Sequence, residues 1–359
     1  MSRLNRYLIV MVTKILLLCQ FAGITVFSTI EFFEHMDKFT SSLEQMGFAI
    51  LYLCLKIPYY FNLILPLAFL ISILILIILM IRSNEVVIIR TSGISTFTFM
   101  KPILCLSLVL VVLSFILSEW AIPFTSSAAE RVYQVKIKKE EAFVYFKNDK
   151  IWFKRGNTVA NIDFYDAKKD VIKGLTVLEL TPSYAITKRI DAREGVWAGG
   201  EWVFSDVIER TFNNEGIASK EGYKELKGLI KEPPAVFKIV EKNPEEMSYK
   251  ELKRYISRLQ RSGHDVRRYL VDLHSKISFP FINLVMVLAG FSVGLRYAKT
   301  KHISKGVFTG ILVGILYWFC HTVSLALGYK EIFPPLFAAW LANFLFVSLG
   351  VIGIVTLRT

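Results

Sequence analysis

Residues 57–81 read IPYYFNLILPLAFLISILILIILMI and contain no charged side chain. A hydrocarbon core about 30 Å thick is crossed by about 20 residues of α-helix, so this run predicts a transmembrane helix. The whole chain agrees with a membrane location, because hydrophobic residues make up 53% of its 359 residues and the mean hydropathy is +0.46. These values place it outside the soluble globular class.

Further apolar segments of similar length lie on both sides of a polar middle, giving six predicted spans in a 3+3 arrangement. An even number of spans places both termini on the same side of the membrane. The basic start of the chain, residues 1–14, resembles a signal peptide, but the apolar run continues to residue 30 without a small-residue cleavage site. It is interpreted as a retained first span. The predicted spans are residues 9–30, 57–81, 102–122, 277–295, 307–327 and 335–357.

Lysine and arginine in the short loops predict the orientation, because cytoplasmic loops carry an excess of both. One side of the predicted membrane domain holds most of them, and it therefore faces the cytoplasm together with both termini. The polar middle then lies in the periplasm of a bacterium with two membranes, and the chain is a multi-pass protein of the inner membrane. The cytoplasmic set is Arg3, Arg6, Lys14, Arg82, Arg90, Lys101, Arg296, Lys299, Lys301, Lys305 and Arg358; the opposite short loops hold Lys38, Lys56 and Lys330.

The polar middle predicts a soluble all-β domain in residues 123–247. Its short runs are rich in β-branched and aromatic residues and are separated by Gly, Asn, Asp and Pro. No helical pattern lies between the runs, which favours an antiparallel sandwich or barrel over a parallel sheet. The predicted strands are residues 142–146, 151–154, 158–165, 174–180, 184–192 and 201–212.

Residues 248–276 predict an amphipathic helical connector between the β domain and the fourth span. Ser248 and Glu251 have the spacing of a capping box, and Gly263 is a stop signal. The polar face of the helix is basic, and it is either a solvated surface or a site for an anion. The apolar stripe is Leu252, Tyr255, Ile256 and Leu259, and the basic residues are Lys250, Lys253, Arg254, Arg258 and Arg261.

The sequence lacks two common motifs of nucleotide and metal chemistry. It contains no G-x-x-x-x-G-K-[ST] phosphate loop and no H-E-x-x-H metal motif. The four cysteines lie in or beside apolar runs without C-x-x-C spacing, so neither a disulfide framework nor a zinc site is predicted. The net charge of +13 is spread over loops beside lipid-length segments, and no nucleic-acid-binding motif accompanies it. We expect a non-catalytic chain that binds no metal, cofactor or nucleic acid.

The loop between the second and third spans, residues 82–94, reads RSNEVVIIRTSGI and predicts a short cytoplasmic helix over residues 84–91. Ser83 and Asn84 are suited to cap it, Glu85 lies favourably in its first turn, and Gly93 is suited to end it in a left-handed turn. The apolar residues 86–89 are too few to span and too many to leave in water, so they need lipid, the helix bundle or another protein. Periodicity alone favours a helix that rests on the lipid surface.

Four stretches together resemble the family of lipopolysaccharide export permeases, LptF and LptG, and the similarity extends over nearly the whole chain. The last of the four is more similar to the LptG branch. The stretches are residues 85–95, EVVIIRTSGIS; residues 118–123, SEWAIP; residues 273–280, LHSKISFP; and residues 326–343, ALGYKEIFPPLFAAWLAN.

The resemblance implies a permease subunit of an ABC transporter that takes lipopolysaccharide from the inner membrane toward the outer membrane. ATP and magnesium would then be bound by a separate, LptB-like ATPase, and residues 84–91 would be the coupling helix that enters a groove of that ATPase. Glu85, Arg90 and Gly93 match the family's coupling stretch. The resemblance further implies a β-jellyroll-like periplasmic domain, a second, LptF-like permease chain, and a periplasmic bridge of LptC-like and LptA-like proteins.

In this family the first and fifth spans are the gates through which lipid enters. That implies lipid-contact candidates in those spans: Phe27, Phe33, Tyr317 and Trp318, with Lys38 for the lipid phosphates. Aromatic residues near span ends are more often interface anchors. The end of the first span departs from the family, because residues 30–38 read IEFFEHMDK and only the last is basic. Acidic residues repel phosphate, so a divalent ion bridges, the partner supplies the cations, or the charge pattern of the lipid differs.

Glu119 and Trp120 end the third span, where a carboxylate is either functional or merely solvated. Two other functions are left open by the residues alone. An ion-coupled secondary transporter would show ionisable residues within its spans and broken helices in corresponding positions of two halves. A membrane-anchored sensor or scaffold would use the β domain to bind a ligand and would require no ATPase.

Overall fold

The computed structural model describes residues 3–93, 95–137, 143–147, 150–155, 157–166, 170–181, 185–213, 216–230, 233–234, 244, 247–261, 265–298 and 303–356. The chain forms two compact units, one comprising Met1–Tyr133 with Pro244–Thr359 and the other comprising Gln134–Asn243. Several residues used in the sequence predictions lie outside the described residues, namely Ala142, Tyr184, Gly263, Lys299, Lys301 and Arg358.

The first unit is helical, and its described residues include five helices that are long and apolar enough to cross a membrane and a sixth candidate formed by a bent pair. The predicted fold class, helical spans with an all-β domain between the third and the fourth, is confirmed. The helices are α1 (Arg3–Glu34), α2 (Met36–Phe39), α3 (Leu43–Arg82), α4 (Glu85–Thr91), α5 (Thr96–Ile116), α6 (Ile122–Arg131), α7 (Tyr249–Arg261), α8 (Arg267–Ser278), α9 (Ile282–Ala298), α10 (Ile303–Tyr329) and α11 (Pro335–Thr356).

Helix α3 lies at the centre of this unit. In its most apolar stretch 67% of residues are buried, against 17% in α1. Glycines allow the neighbouring helices to approach it closely, because a Cβ at Gly294 of α9 would lie 2.6 Å from Cδ1 of Ile77, and one at Gly310 of α10 would overlap Leu74. Close approach through small residues is the usual way in which membrane helices gain packing contacts.

The third span is longer than the sequence predicts. After α5 come a π-helical turn, Leu117–Ala121, then α6, and then a second π-helical segment, Val132–Ile137. Pro123 lies in the first turn of α6, directly after the π-helical turn, and the helical path continues past it. The compact units therefore divide at Tyr133 and Gln134, whereas the sequence places the division before Pro123.

The fourth span is broken, whereas a continuous span is predicted over residues 277–295. Helices α8 and α9 meet at Phe279–Phe281 with a bend of 56°. Pro280 has no backbone N–H to donate, which interrupts the helical hydrogen bonds at this point. The Asn283 side chain donates to the Pro280 carbonyl at 3.0 Å. The predicted connector is accordingly two helices, α7 and α8. The capping box is confirmed, since Ser248 N donates to Glu251 Oε2 at 2.9 Å and Glu251 N donates to Ser248 Oγ at 3.1 Å.

The second unit is one antiparallel sheet of seven strands, in which each strand pairs with the next along the chain. This order is a meander, and the crossed connections of a Greek-key jelly roll do not occur among the described strands. Six strands match the predicted ones, and Gly216–Lys227 is an additional edge strand. The strands are β1 (Phe143–Lys147), β2 (Lys150–Arg155), β3 (Thr158–Asp166), β4 (Val171–Leu180), β5 (Ile186–Ala198), β6 (Glu201–Asn213) and β7 (Gly216–Lys227).

One face of the sheet carries the apolar core of this unit, centred on the fully buried Trp202 and Phe204 of β6. Gly195 of β5 is paired with Phe204, and the phenyl ring lies over it, so any Cβ at that position would overlap the ring. An aromatic ring that covers a glycine on the neighbouring strand fixes the register of the pair.

Candidate functional site

The loop between the second and third spans is folded as a compact turn, helix and turn. Asn84 adopts a left-handed backbone conformation with φ +58°, and its carbonyl accepts from Val87 N at 3.1 Å, which starts α4. Gly93 has φ +74°, as expected of a residue that ends a helix. The capping role predicted for Ser83 is wrong, because its one hydroxyl hydrogen is shared between the Leu79 carbonyl of α3 and the Glu85 carboxylate, which lie 3.0 and 2.8 Å from Oγ.

The carboxylate of Glu85 joins three parts of the chain. Its Oε1 accepts a hydrogen bond from Ser83 Oγ at 2.8 Å and another from Tyr7 Oη of α1 at 3.3 Å. The start of the first span is thereby linked to α4. Leu8 and Val12, which follow Tyr7, are fully buried in the same core as Val86 of α4. Helix α4 is therefore attached to α1 by both a polar and an apolar contact.

The apolar residues of α4 divide between two environments. Val86 is 6% exposed and Ile89 packs against the core, whereas Val87 is 57% and Ile88 60% exposed. An exposed apolar pair beside a carboxylate is suited to contact another protein. Arg90 lies within α4, but its side chain is outside the described part of the chain.

The far end of the first span contains a second carboxylate with tyrosine partners. Glu31 accepts from Tyr52 Oη at 2.6 Å and from Tyr60 Oη at 2.8 Å, and both tyrosines are buried in α3. Nε2 of His35, which directly follows α1, lies 3.8 Å from Glu31 Oε1. Residues 30–38 are more acidic than the family pattern implies. Of their acidic side chains, Glu31 faces the protein interior, while Glu34 and Asp37 are exposed.

The lipid-contact candidates near this end have protein neighbours. Lys38 donates to Tyr133 Oη at 3.1 Å, and its Nζ lies 5.5 Å from the centre of the same ring. Phe27 packs against Tyr60 with ring centres 5.8 Å apart, and Phe33 is largely exposed. The structure thus leaves Phe33 available to lipid or to another chain.

The two candidates of the fifth span differ in environment. Tyr317 is fully buried and donates to Asn343 Oδ1 at 2.5 Å, so it belongs to the helix core and presents no surface to a lipid. Asn343 in turn donates to the Ser278 carbonyl at 2.9 Å, next to the bend of the fourth span. Trp318 is partly buried, with its ring centre 6.0 Å from that of Phe279.

Glu119 has a defined partner. Its Oε2 accepts from the backbone N–H of Tyr249, the first residue of α7, at 2.8 Å. A carboxylate at a helix N-terminus satisfies an unpaired donor and interacts favourably with the helix dipole. Glu119 therefore fixes α7 to the π-helical turn that follows α5, and its carboxylate is neither merely solvated nor free within the span.

A profile of the family described as "Lipopolysaccharide export system permease LptF/LptG" matches residues 6–356. The chain belongs to the LptF/LptG family. This membership makes it a permease subunit for lipopolysaccharide export and a multi-pass protein of the inner membrane.

Two relatives from different bacteria illustrate the similarity within the LptF/LptG family. The lipopolysaccharide export system permease protein LptG of Escherichia coli K12 is 23% identical over 358 residues, 96% of each chain. The protein of the same name from Haemophilus influenzae is 26% identical over 325 residues, 89% of this chain and 87% of the relative. The resemblance of residues 326–343 to the LptG branch agrees with both names.

Several polar contacts of this LptF/LptG chain were not predicted from its sequence. Tyr7, Tyr52, Tyr60 and Tyr133 all bond a predicted or suspected site residue. A buried tyrosine needs a hydrogen-bond partner, and this requirement was the available signal for Tyr52, Tyr60 and Tyr133 but not for the exposed Tyr7. Among the described residues no group of three His, Cys, Asp or Glu side chains is arranged to hold a metal ion.

Proposed function

We propose that this chain is the membrane subunit of an ABC transporter and that α4 is the element through which a separate, LptB-like ATPase acts on it. The supporting observation is the combination at α4 of a fixed carboxylate, Glu85, with two exposed apolar side chains, Val87 and Ile88. An exposed apolar patch with a polar rim is typical of a protein contact surface. ATP and magnesium belong to the ATPase in this proposal.

Motion of the ATPase would reach the first span through α4. Glu85 is hydrogen-bonded to Tyr7, and Val86 packs into the core that contains Leu8 and Val12 of α1. A displacement of α4 therefore pulls directly on the cytoplasmic end of α1. Helices that pack closely shift as units and do not deform gradually, which makes such a displacement effective at the other end of the span.

A second, LptF-like permease chain would cover part of the exposed helix surface. In the most apolar stretches of α1 and α10 only 17% and 28% of residues are buried within this chain. These faces meet either lipid or another subunit, and we propose that the two permeases enclose the lipopolysaccharide between them. Phe27, Phe33, Trp318 and Lys38 are the candidates for contact with that lipid at the first and fifth spans.

The termini and α4 would lie in the cytoplasm and the seven-stranded sheet in the periplasm. The support is the distribution of lysine and arginine among the loops. Among the described strands, β1 and β7 each have one edge without a neighbouring strand, and such an edge accepts a strand of another protein. We propose that LptC-like and LptA-like proteins receive the lipid from this β domain and carry it toward the outer membrane.

Replacement of Glu85 by Lys tests the coupling role. We expect the variant to insert into the membrane and to assemble with the second permease, but to lose ATPase binding and lipopolysaccharide export. The readouts are co-purification of the ATPase in mild detergent and lipid transfer in proteoliposomes. Glu44→Lys is a matched control, because it makes the same charge change at the opposite end of α3. Retention of both ATPase binding and export by Glu85→Lys would exclude the proposed role of α4.

The break in the fourth span bears on the alternative of an ion-coupled secondary transporter. That class places broken helices at corresponding positions of two halves. Among the described helices only one pair, α8 and α9, is bent by more than 40° at a short break, and it lies in the second half. The observation does not meet the paired pattern, so export driven by a partner ATPase is the better-supported function.

A further inference from the structure

A groove lies at the end of the third span, on the side of the membrane opposite α4. It has a volume of about 570 Å³ and is formed by the end of α5, the π-helical turn Leu117–Ala121, the start of α7 and the end of α8. All residues that line it belong to the helical unit. The groove is therefore a feature of this unit alone and depends neither on the β domain nor on a second permease.

The wall that the third span contributes to the groove is apolar and exposed. Ile116 and Trp120 line the groove, and both side chains are exposed. Val112 and Val109, which precede them at a spacing of three or four residues, are exposed as well and continue the same stripe into the span. Exposed apolar residues that end in a tryptophan are typical of a helix surface in contact with acyl chains, because tryptophan lies at the level of the lipid headgroups.

The wall that α7 contributes adds positive charge. Lys250 lines the groove, and Lys253 and Arg254 follow on the same face of the helix, where all three side chains are exposed. Among the described residues none of the three forms an ion pair, and Arg254 Nε donates to the Lys250 carbonyl at 3.4 Å. The apolar stripe of α7 is buried against the protein, so the helix presents its basic face outward.

Two carboxylates lie near the basic residues, and both are hydrogen-bonded at the start of α7. Glu119, which lines the groove, accepts from Tyr249 N at 2.8 Å, and Glu251 accepts from Ser248 N at 2.9 Å. The positive end of the helix dipole offsets part of their charge. Lys276 also lines the groove but already interacts within the chain. The exposed basic residues of α7 are therefore the groups that an anionic ligand complements.

We propose that the groove binds an anionic glycerophospholipid from the membrane leaflet opposite α4. Its phosphate lies beside Lys250, and the rest of the headgroup lies toward Lys253 and Arg254. One acyl chain follows Trp120 and Ile116 into the membrane. A charged face adjoining an apolar stripe matches an amphiphile, whereas a soluble phosphate would use the basic residues alone. This lipid is distinct from the exported lipopolysaccharide, and it connects the third span to α7 at the membrane surface.

Binding of defined lipids to the purified full-length chain in maltoside micelles tests the proposal. Titrations followed by native mass spectrometry compare phosphatidylglycerol, phosphatidylcholine with the same acyl chains, and glycerol 3-phosphate. We expect phosphatidylglycerol to bind at least about fivefold more tightly than either of the others, because each basic residue beside an anionic headgroup strengthens binding roughly fivefold. Equal affinity for the two lipids would overturn the anionic assignment, and equal affinity for glycerol 3-phosphate would overturn the acyl-chain assignment.

Variants of both walls assign the binding to the groove. Lys250→Gln should weaken binding of phosphatidylglycerol about fivefold and leave that of phosphatidylcholine unchanged. Lys305→Gln removes an exposed lysine of α10 that does not line the groove, and it should bind as the parent chain does. Ile116→Trp fills the apolar part and should weaken both lipids, whereas Ile352→Trp makes the same change on an exposed face of α11. Parent-like binding of phosphatidylglycerol by either groove variant would overturn the proposal.

Competition with lipopolysaccharide separates the phospholipid from the exported lipid. An equimolar amount of lipopolysaccharide should leave phosphatidylglycerol bound to the parent chain. Displacement of the phospholipid would assign the groove to the exported lipid and would overturn the proposal. None of these measurements involves the ATPase or export. Failure of this proposal and failure of the coupling role of α4 are therefore distinguishable.

Discussion

The two ends of the first span each hold a carboxylate that accepts from tyrosine, but the donors differ in burial. At one end, Tyr7 is 42% exposed and its bond to Glu85 is 3.3 Å long. At the other end, Tyr52 and Tyr60 are each 4% exposed and their bonds to Glu31 are 2.6 and 2.8 Å long. A hydrogen bond between buried groups is costly to break, whereas an exposed one exchanges readily with water or with a partner.

The surroundings strengthen the contrast. Glu85 lies beside the exposed Val87 and Ile88, so the surface around it is open to another protein. Glu31 lies within a group of rings, in which Tyr52 packs on Phe39 and on Tyr133 at centre distances of 5.8 and 5.5 Å. Hydrogen bonds from tyrosine to a carboxylate therefore hold α1 and α3 together at Glu31. At the other end of the span, the carboxylate of Glu85 is open to a partner protein.

Removal of the enclosed carboxylate should have the largest effect on stability. Glu31→Leu leaves two buried tyrosine hydroxyls without their acceptor, and we expect a loss of about 3 kcal/mol in the free energy of unfolding. Thermal unfolding of the purified chain in detergent measures it. The triple variant with Tyr52→Phe and Tyr60→Phe should recover most of the loss, because no donor is then left unpaired. Unchanged stability of Glu31→Leu would show that the carboxylate does not hold these helices.

The same substitution at two adjacent valines of α4, one buried and one exposed, tests whether the surface beside Glu85 contacts the ATPase. Val86→Ser places a hydroxyl in the core and should reduce the unfolding free energy by about 2 kcal/mol. Val87→Ser changes an exposed residue and should alter stability by less than about 0.5 kcal/mol, while weakening ATPase binding about tenfold. Unfolding measurements give the free energy of unfolding of each variant, and ATPase titrations give the affinity of each variant for the ATPase. Strong ATPase binding by Val87→Ser would remove the exposed pair from the proposed contact.

The contrast between the two ends also shows what the sequence could reveal. The spans were predictable because a run such as residues 57–81 satisfies a length requirement that depends on composition alone. The α4 helix and the capping box of Ser248 and Glu251 were predictable because their partners lie within a few residues. The bonds of Glu31 to two tyrosines were not predictable, because these partners lie 21 and 29 residues away on another helix.

Two features of the fold were not predictable, because the local sequence alone does not determine them. Strand β7 reads GIASKEGYKELK, which lacks the β-branched and aromatic character of a strand, and it is held by pairing with β6 at the edge of the sheet. The break of the fourth span had a local cue in Pro280, but a proline alone does not fix whether a helix ends, kinks or continues. The continued helix at Pro123 shows the opposite outcome.

A third carboxylate, Glu119, should give an effect of intermediate size because it caps a helix from a distant part of the chain. Glu119→Ala removes the acceptor of the Tyr249 N–H, and we expect a loss of about 1 kcal/mol confined to the start of α7. Hydrogen exchange of peptides covering residues 247–254 measures it. Ser248→Ala, which removes the local cap of the same helix, is the reference. Faster exchange throughout the helical unit would indicate a global role for Glu119.

The smallest effect is expected from Asp191 in the β domain, whose ion-paired carboxylate is only partly buried. Burial alone would raise the pKa of Asp191, but hydrogen bonds from Arg189 and Thr176 and the pair with Arg210 lower it below its ordinary value. A carboxylate whose pKa is lower in the folded state contributes stability above its unfolded pKa, which is about 3.9, and loses that contribution as the pH falls through the folded pKa.

Stability of the β domain should therefore be constant between neutral pH and about pH 5 and should decline below about pH 4. Hydrogen exchange of β5 peptides in the full-length chain, corrected for the intrinsic pH dependence of exchange, measures this decline. Asp191→Asn should be less stable at neutral pH and should decline less on acidification, and Asp206→Asn controls for the change in net charge. An equally steep decline in Asp191→Asn would assign the acid sensitivity to other carboxylates.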